Sequence, residues 1–235
     1  MFDWLLSAMI QLDKFFSYFD NLPHQRAAIQ KLQEDMPAEL LAHDAEWFQI
    51  WKAGGMMSPI PVPYYNQHHL PDGQRKCLTS TLAMVAAYYG AVATQKEYDD
   101  LRERFGDTTD IGAQVRTLQE LGLRPEFVMD GTEDLIEAEL DAGRVVAVGW
   151  LHKGDISTGR PPEGFGHWGV VIGYTEKFFI LMDPRGEYDL QTGELMKPGK
   201  GNTVFYERNA FLFRWHPEGP GNGWAILVDP LPPLL

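Results

Sequence analysis

The stretch VPYYNQHHLPDGQRKCLTSTLAMVAAYYG, residues 62–90, sets two backbone regimes side by side. Its first half continues a run in which Pro59, Pro61 and Pro63 fix φ and remove amide donors, so the chain enters extended and not helical. From Cys77 onward the pattern changes. Leu78, Leu82, Val85 and Tyr89 recur at helical spacing, and Gly90 is a natural stop. The reading is an extended segment, a polar turn-rich insert, and then a buried helix that opens on Cys77. A thiol placed there meets the partial positive charge and unpaired N–H groups of a helix N-terminus, which favour thiolate over thiol. The alternative is that Cys77 is a small buried hydrophobe.

Working outward, residues 94–105, 112–122 and 132–143 carry helical periodicity between turn or capping residues. After Gly143 the period shortens. VVAVGWL (145–151), HWGVVIGY (167–174), KFFILMD (177–183) and GWAILV (223–228) are short, β-branched and aromatic, and bounded by Gly or Pro, which reads as strands. Helices first and strands afterwards predict an α+β domain whose antiparallel sheet packs on the Cys-bearing helix. Residues 199–222 read only as an excursion between strands.

Upstream, residues 1–53 read as helical throughout. They break near NLPHQ (21–25) and restart at DMPAELLAHDAEWFQIWKAGG (35–55), where Pro37 suits a first turn and Gly54-Gly55 ends the helix. The boundary falls near residue 55, giving a helical appendage, 1–55, before a domain at 56–235. The apolar start is read neither as a signal peptide nor as a membrane span: Asp3 stands where positive charge belongs, and Gln11, Asp13 and Lys14 interrupt the run. Trp4, Leu5, Ala8 and Leu12 instead suit a helix that docks on a partner or folds back over a cleft.

The chain has 235 residues, 20 Lys+Arg against 33 Asp+Glu, and a net charge of −13, which argues against nucleic acid as a partner. One cysteine excludes an intrachain disulfide and any multi-cysteine zinc site. GFGHWG (164–169) satisfies a dinucleotide pattern but leads into a strand. DPRGEYDLQTGE (183–194) has the length of a calcium loop, yet puts Arg185 at the third position and Tyr188 where Gly is needed. His68 and His69 are adjacent and do not converge on one ion. No metal and no cofactor are expected.

His167 opens one strand and Asp183 closes the next. With a three-residue connection, 167 lies opposite 185, so 167 and 183 share a face as diagonal neighbours. A carboxylate there can hold the imidazole's tautomer while its other nitrogen faces a thiol. The alternatives are a strand-end histidine bonded to a loop carbonyl and a turn-initiating aspartate before Pro184. Trp150, Trp168, Trp215 and Trp224 read as core and cleft wall, with Trp150 and Trp168 taken as substrate contacts.

Residues 62–90, GHWGVVIGY (166–174) and FFILMDPRGEYDL (178–190) resemble the papain-superfamily cysteine peptidases of family 39, the bacteriocin-processing-like group, over about residues 60 to 190. GDTTD (106–110) and the late GWAIL resemble its phage-associated branch. The resemblance implies a papain-like fold with Cys77 as nucleophile, His167 as general base and then acid, and Asp183 as orienting acid. It also implies an oxyanion donor, Gln67, aided by the Cys77 N–H. Gln67 lies ten residues before Cys77 and Gln74 three before it; Gln67 is preferred because it ends the extended stretch. The implied substrate is a peptide, taken as the stem or cross-link peptide of bacterial peptidoglycan. The protein is then made in the cytoplasm and is virion-associated or acts at the cell wall. Leader-peptide processing, or a silent structural role in a virion, are the other readings.

Overall fold

The structure, a computed structural model, describes residues 59–159 and 161–230. The expected helices of residues 1–53 and the boundary at 55 lie outside the described residues. The entry segment runs extended, as its prolines dictate, and Ile60 N donates to Ile172 O at 2.7 Å.

The first helix, α1 (Cys77–Tyr88), begins at the cysteine as the sequence predicts. It is buried on every side from Leu78 to Ala86, including Thr79, Ser80 and Thr81. Buried hydroxyls call for partners in the interior, which Thr79 and Ser80 find and Thr81 Oγ1 does not. Thr79 bonds Thr108 at 2.6 Å and accepts from Gln114 at 2.8 Å, while Ser80 accepts from Gln95 at 2.7 Å. These partners sit on or beside α2 (Gln95–Glu103) and α3 (Ile111–Glu120), so the polar bonds fix which helices flank α1. Side chains cap the first turns: Thr94 accepts from Glu97 N, Asp110 from Gly112 N and, at α4 (Glu133–Asp141), Thr132 from Leu135 N.

The sheet is antiparallel, in the order β1-β8-β2-β3-β4-β7, from β1 (Leu123–Gly131), β2 (Val146–Lys153), β3 (Glu163–Tyr174), β4 (Phe178–Met182), β7 (Val204–Glu207) and β8 (Gly223–Pro230). A separate pair, β5 (Gly186–Tyr188) with β6 (Leu195–Pro198), follows the Asp183-Pro184 turn. GFGHWG lies within β3, which begins at Glu163, ahead of the start at His167 read from the sequence; the pattern opens no helix.

Two features depart from the reading of the sequence. Pro125 inside β1 disguised that strand; it pairs only with β8 in the sheet order, so its missing N–H costs no inner ladder bond. The segment read as an excursion, 199–222, holds β7 and α5 (Arg208–Trp215), an eight-residue helix too short for its period to be decisive. Arg214 of α5 is wholly buried and is satisfied by carbonyls alone, among them Leu190 at 2.6 Å, Lys153 at 2.9 Å and Gly154 at 2.7 Å.

Candidate active site

Cys77 is half-buried at the first residue of α1. The residue before it, Lys76, is turned inward: its ammonium lies 2.9 and 2.8 Å from the two carboxylate oxygens of Asp99, which also holds Arg102 at 2.5 Å. This buried triad ties the start of α1 to α2 and fixes the thiol's backbone.

The imidazole comes from β3. Three residues separate β3 from β4, and next to that turn the register is Tyr174 opposite Phe179. A one-residue shift between Val171 and Gly173 changes it to Val170 opposite Met182. Continued to the strand end, that register sets 167 opposite 185. The outcome is a hydrogen bond between His167 Nε2 and Asp183 Oδ1 at 2.7 Å, both groups being buried. Nδ1 is left for the thiol, and Cys77 is close enough to act on the ring. Burial by itself pushes the imidazole's pKa down, but the Asp183 carboxylate, by charge and hydrogen bond, and then Cys77 hold it up at about 9. The imidazole is therefore held as a cation beside the sulfur.

Asp183 is fixed from several sides. Oδ1 also accepts from Arg185 N at 3.0 Å, and Oδ2 accepts from the Tyr206 hydroxyl at 3.0 Å. Burial and the neighbouring carboxylate drive the Tyr206 pKa well above its ordinary value, so it remains a proton donor. Tyr206 belongs to β7, where the sequence offered no signal. Tyr64, in the entry segment, donates to the Asp183 carbonyl at 3.1 Å, and Asp183 N donates to Gly201 O at 2.8 Å.

Gln67 is fully buried, whereas Gln74 is exposed. The ten-residue spacing closes because the insert winds into two short 3-10 turns, Gln67–His69 and Gly73–Arg75. Gly73 lies against the first of these: a Cβ there would stand 2.6 Å from Gln67 O. Gln67 Nε2 donates to Gly73 O at 2.6 Å, which leaves its second N–H unassigned, and Gln67 N donates to Pro184 O at 2.8 Å. Gln67 is thus bonded to the same turn that presents Asp183.

The two tryptophans expected to contact substrate require a correction. Trp150 is 1% exposed; it lies directly opposite His167 in the β2–β3 register, with its ring edge-on to the imidazole at 5.3 Å. Trp168 is 6% exposed, its ring lying over Gly149, where a Cβ would stand 2.7 Å from it. Cross-strand pairing puts these rings into the core, so they brace the site and do not line a groove. Tyr188 and His152, not singled out in the sequence, complete the aromatic wall around His167 at 5.3 and 5.7 Å.

A thiol between a helix N-terminus and a carboxylate-oriented imidazolium is an arrangement for acyl transfer. The family model described as the Peptidase_C39 like family matches residues 59–207, which contain every group described above. Among solved structures, a C39-like peptidase from Bacillus anthracis is similar at 15% identity over 74% of this chain and 98% of its own, with a TM-score of 0.50. The peptidase domain of Streptococcus ComA, a bifunctional ABC transporter, is similar at 20% identity over 67% and 93%, with a TM-score of 0.46. A double-glycine-motif protease from an AMS/PCAT transporter, solved with a leader peptide, is similar at 15% identity over 74% and 94%, with a TM-score of 0.45. A comparison with curated protein sequences finds no match. Among the described residues no helix is long and apolar enough to cross a membrane. Because the matched span begins in the entry segment, runs through α1 and ends in β7, the resemblance read from the motifs holds over residues 59–207: the chain belongs to the Peptidase_C39 like family and is a cysteine peptidase of papain-like fold.

Proposed function

We propose that the protein hydrolyses an amide bond through Cys77, His167 and Asp183, with Gln67 and the Cys77 N–H cradling the oxyanion. The carrying observation is the 2.7 Å bond from His167 Nε2 to the buried Asp183, which leaves the other ring nitrogen available to a thiol that acts on the same ring. The Cys77 thiolate attacks the carbonyl carbon, and the C=O electron pair moves to oxygen. Collapse breaks the C–N bond as the imidazolium gives its proton to the leaving amine. Water then attacks the thioester, its proton returns to His167, and Cys77 leaves as thiolate.

The substrate we propose is a stem or cross-link peptide of bacterial peptidoglycan, in a phage-associated, lysin-like or virion role. GDTTD and GWAIL, with the likeness to the phage-associated branch, support this reading. Residues 1–55 are then a docking or regulatory appendage. Purified protein should clear cell-wall suspensions and take up a thiol-reactive peptidyl electrophile, and Cys77→Ala should do neither. Cleavage of a double-glycine leader peptide with intact walls left untouched would replace murein by leader processing. Failure of Cys77 to label at all would leave a silent scaffold.

A further inference from the structure

Directly after the Asp183-Pro184 turn stands a cation that the mechanism leaves unused. Arg185 is half-buried, its Nε is fully buried without a hydrogen-bond partner, and no carboxylate pairs with it among the described residues. In a chain of net charge −13, Arg75, Arg102, Arg144 and Arg208 all hold carboxylates, and the buried Arg214, which holds none, is satisfied by carbonyls; Arg185 Nε has neither. Beside it, Tyr188 is 95% buried, being 5% exposed; its oxygen meets the Arg185 side chain, while its own O–H finds no acceptor. The Tyr188 ring touches His167 at 5.3 Å, and its backbone is pinned by Tyr188 N donating to Tyr206 Oη at 3.1 Å. Asp183, Arg185 and Cys77 are the charged groups that act on this hydroxyl, which puts guanidinium, phenol and thiol in one neighbourhood. Burial and the Asp183 charge raise the phenol's pKa, so it stays a neutral donor.

A buried donor left unpaired forfeits its hydration with no return, and an unpaired cation does so more severely. Two donors, one of them charged, call for an acceptor with negative charge and several lone pairs. A guanidinium fork matches a carboxylate better than it matches an amide oxygen. We infer that Arg185, positioned by Tyr188, forms a carboxylate-recognising subsite beside Cys77, so that the substrate is a peptide bearing a carboxylate close to the scissile bond. This rests on Cys77 being the nucleophile. The carboxylate is either an acidic side chain or the peptide's free C-terminus, since both present the same two oxygens.

Alkylation of the full chain by iodoacetate and by iodoacetamide tests it without a known substrate, because the two reagents differ in charge and attack the same sulfur. The ratio of their rates at Cys77 should fall by about tenfold in Arg185→Gln and be largely kept in Arg185→Lys. Tyr188→Phe should lower the ratio to a lesser degree. An unchanged ratio in Arg185→Gln, with iodoacetamide still reacting rapidly, overturns the subsite and leaves the nucleophile standing. Slow reaction of both reagents with the unmodified protein overturns the nucleophile itself. Two peptide arms separate the sources: one with an internal Glu and an amidated end, the other neutral with a free end. The arm whose kcat/KM advantage over its fully neutral counterpart disappears in Arg185→Gln identifies the carboxylate, and an advantage that survives the substitution in both arms overturns the proposal.

Discussion

Asp183 receives bonds from a strand, a turn and a distant tyrosine, and each has a separable consequence. Asp183→Asn preserves the shape but withdraws the charge that holds His167 at about 9. We expect kcat/KM on any cleaved peptide to fall by about 10²- to 10⁴-fold. The alkaline limb of the pH–rate profile, set by loss of the imidazolium proton, should move to lower pH, and an unmoved limb would show that Asp183 does not govern the imidazole. Tyr206→Phe removes the donor to Oδ2 and the acceptor of Tyr188 N, so urea unfolding should register a loss of about 1–3 kcal/mol. The His167–Asp183 pair was legible in the sequence because one short connection joins their strands and the register counted from it makes 167 and 183 diagonal neighbours. Tyr206 was not legible, since no local pattern relates a tyrosine at 206 to a carboxylate at 183.

The start of α1 depends on two devices around it. Lys76 and Arg102 share the buried Asp99, so removing that carboxylate leaves two buried cations with only the exposed Glu103 at 3.8 and 3.4 Å, whereas removing Lys76 leaves Arg102 and Asp99 paired. Asp99→Ala should therefore cost about 3–5 kcal/mol in chemical denaturation and Lys76→Ala clearly less. Equal losses would contradict the shared-carboxylate account. Gly73→Ala acts on the other device, because its Cβ would press on Gln67 O and His68 Cα at 2.6 Å and must displace the donor amide. The fold should survive while kcat/KM drops by about 10²-fold, in keeping with a misplacement near 1 Å. Helical period and stop signals revealed α1 to α4 and the central strands. They missed β1, which Pro125 interrupts, and also α5 and β5 to β7, which are short and take their shape from what they cover: Tyr206 under Asp183, and Arg214 under the carbonyls of the β2 end.

At the scale of the molecule, the domain places its one thiol and its most constrained histidine on different secondary structures and lets the helix–sheet junction unite them. The His167 pKa, raised from an ordinary 6.5 to about 9, links that junction to stability. Because the folded value is the higher one, the stabilisation is complete below pH 6.5 and is lost as pH rises through about 9. The unfolding free energy should decline across that window, and the decline should be weaker in His167→Gln. Deleting residues 1–55 should leave hydrolysis of a short peptide intact and reduce wall clearing if they dock. A rise in peptide hydrolysis would mark them as inhibitory.

The sequence by itself determined where the helices and the central strands run between residues 77 and 183, though not β1, that Cys77 opens a helix, and that 167 and 183 share a sheet face, because periodicity, caps and register arithmetic are local quantities. Only the tertiary structure decided that Gln67 and not Gln74 is buried, that Trp150 and Trp168 face inward, and that Arg185 has no counter-ion among the described residues. Those outcomes depend on which surfaces meet when a ten-residue insert coils and a sheet closes on a helix, and burial and charge pairing are properties of such meetings.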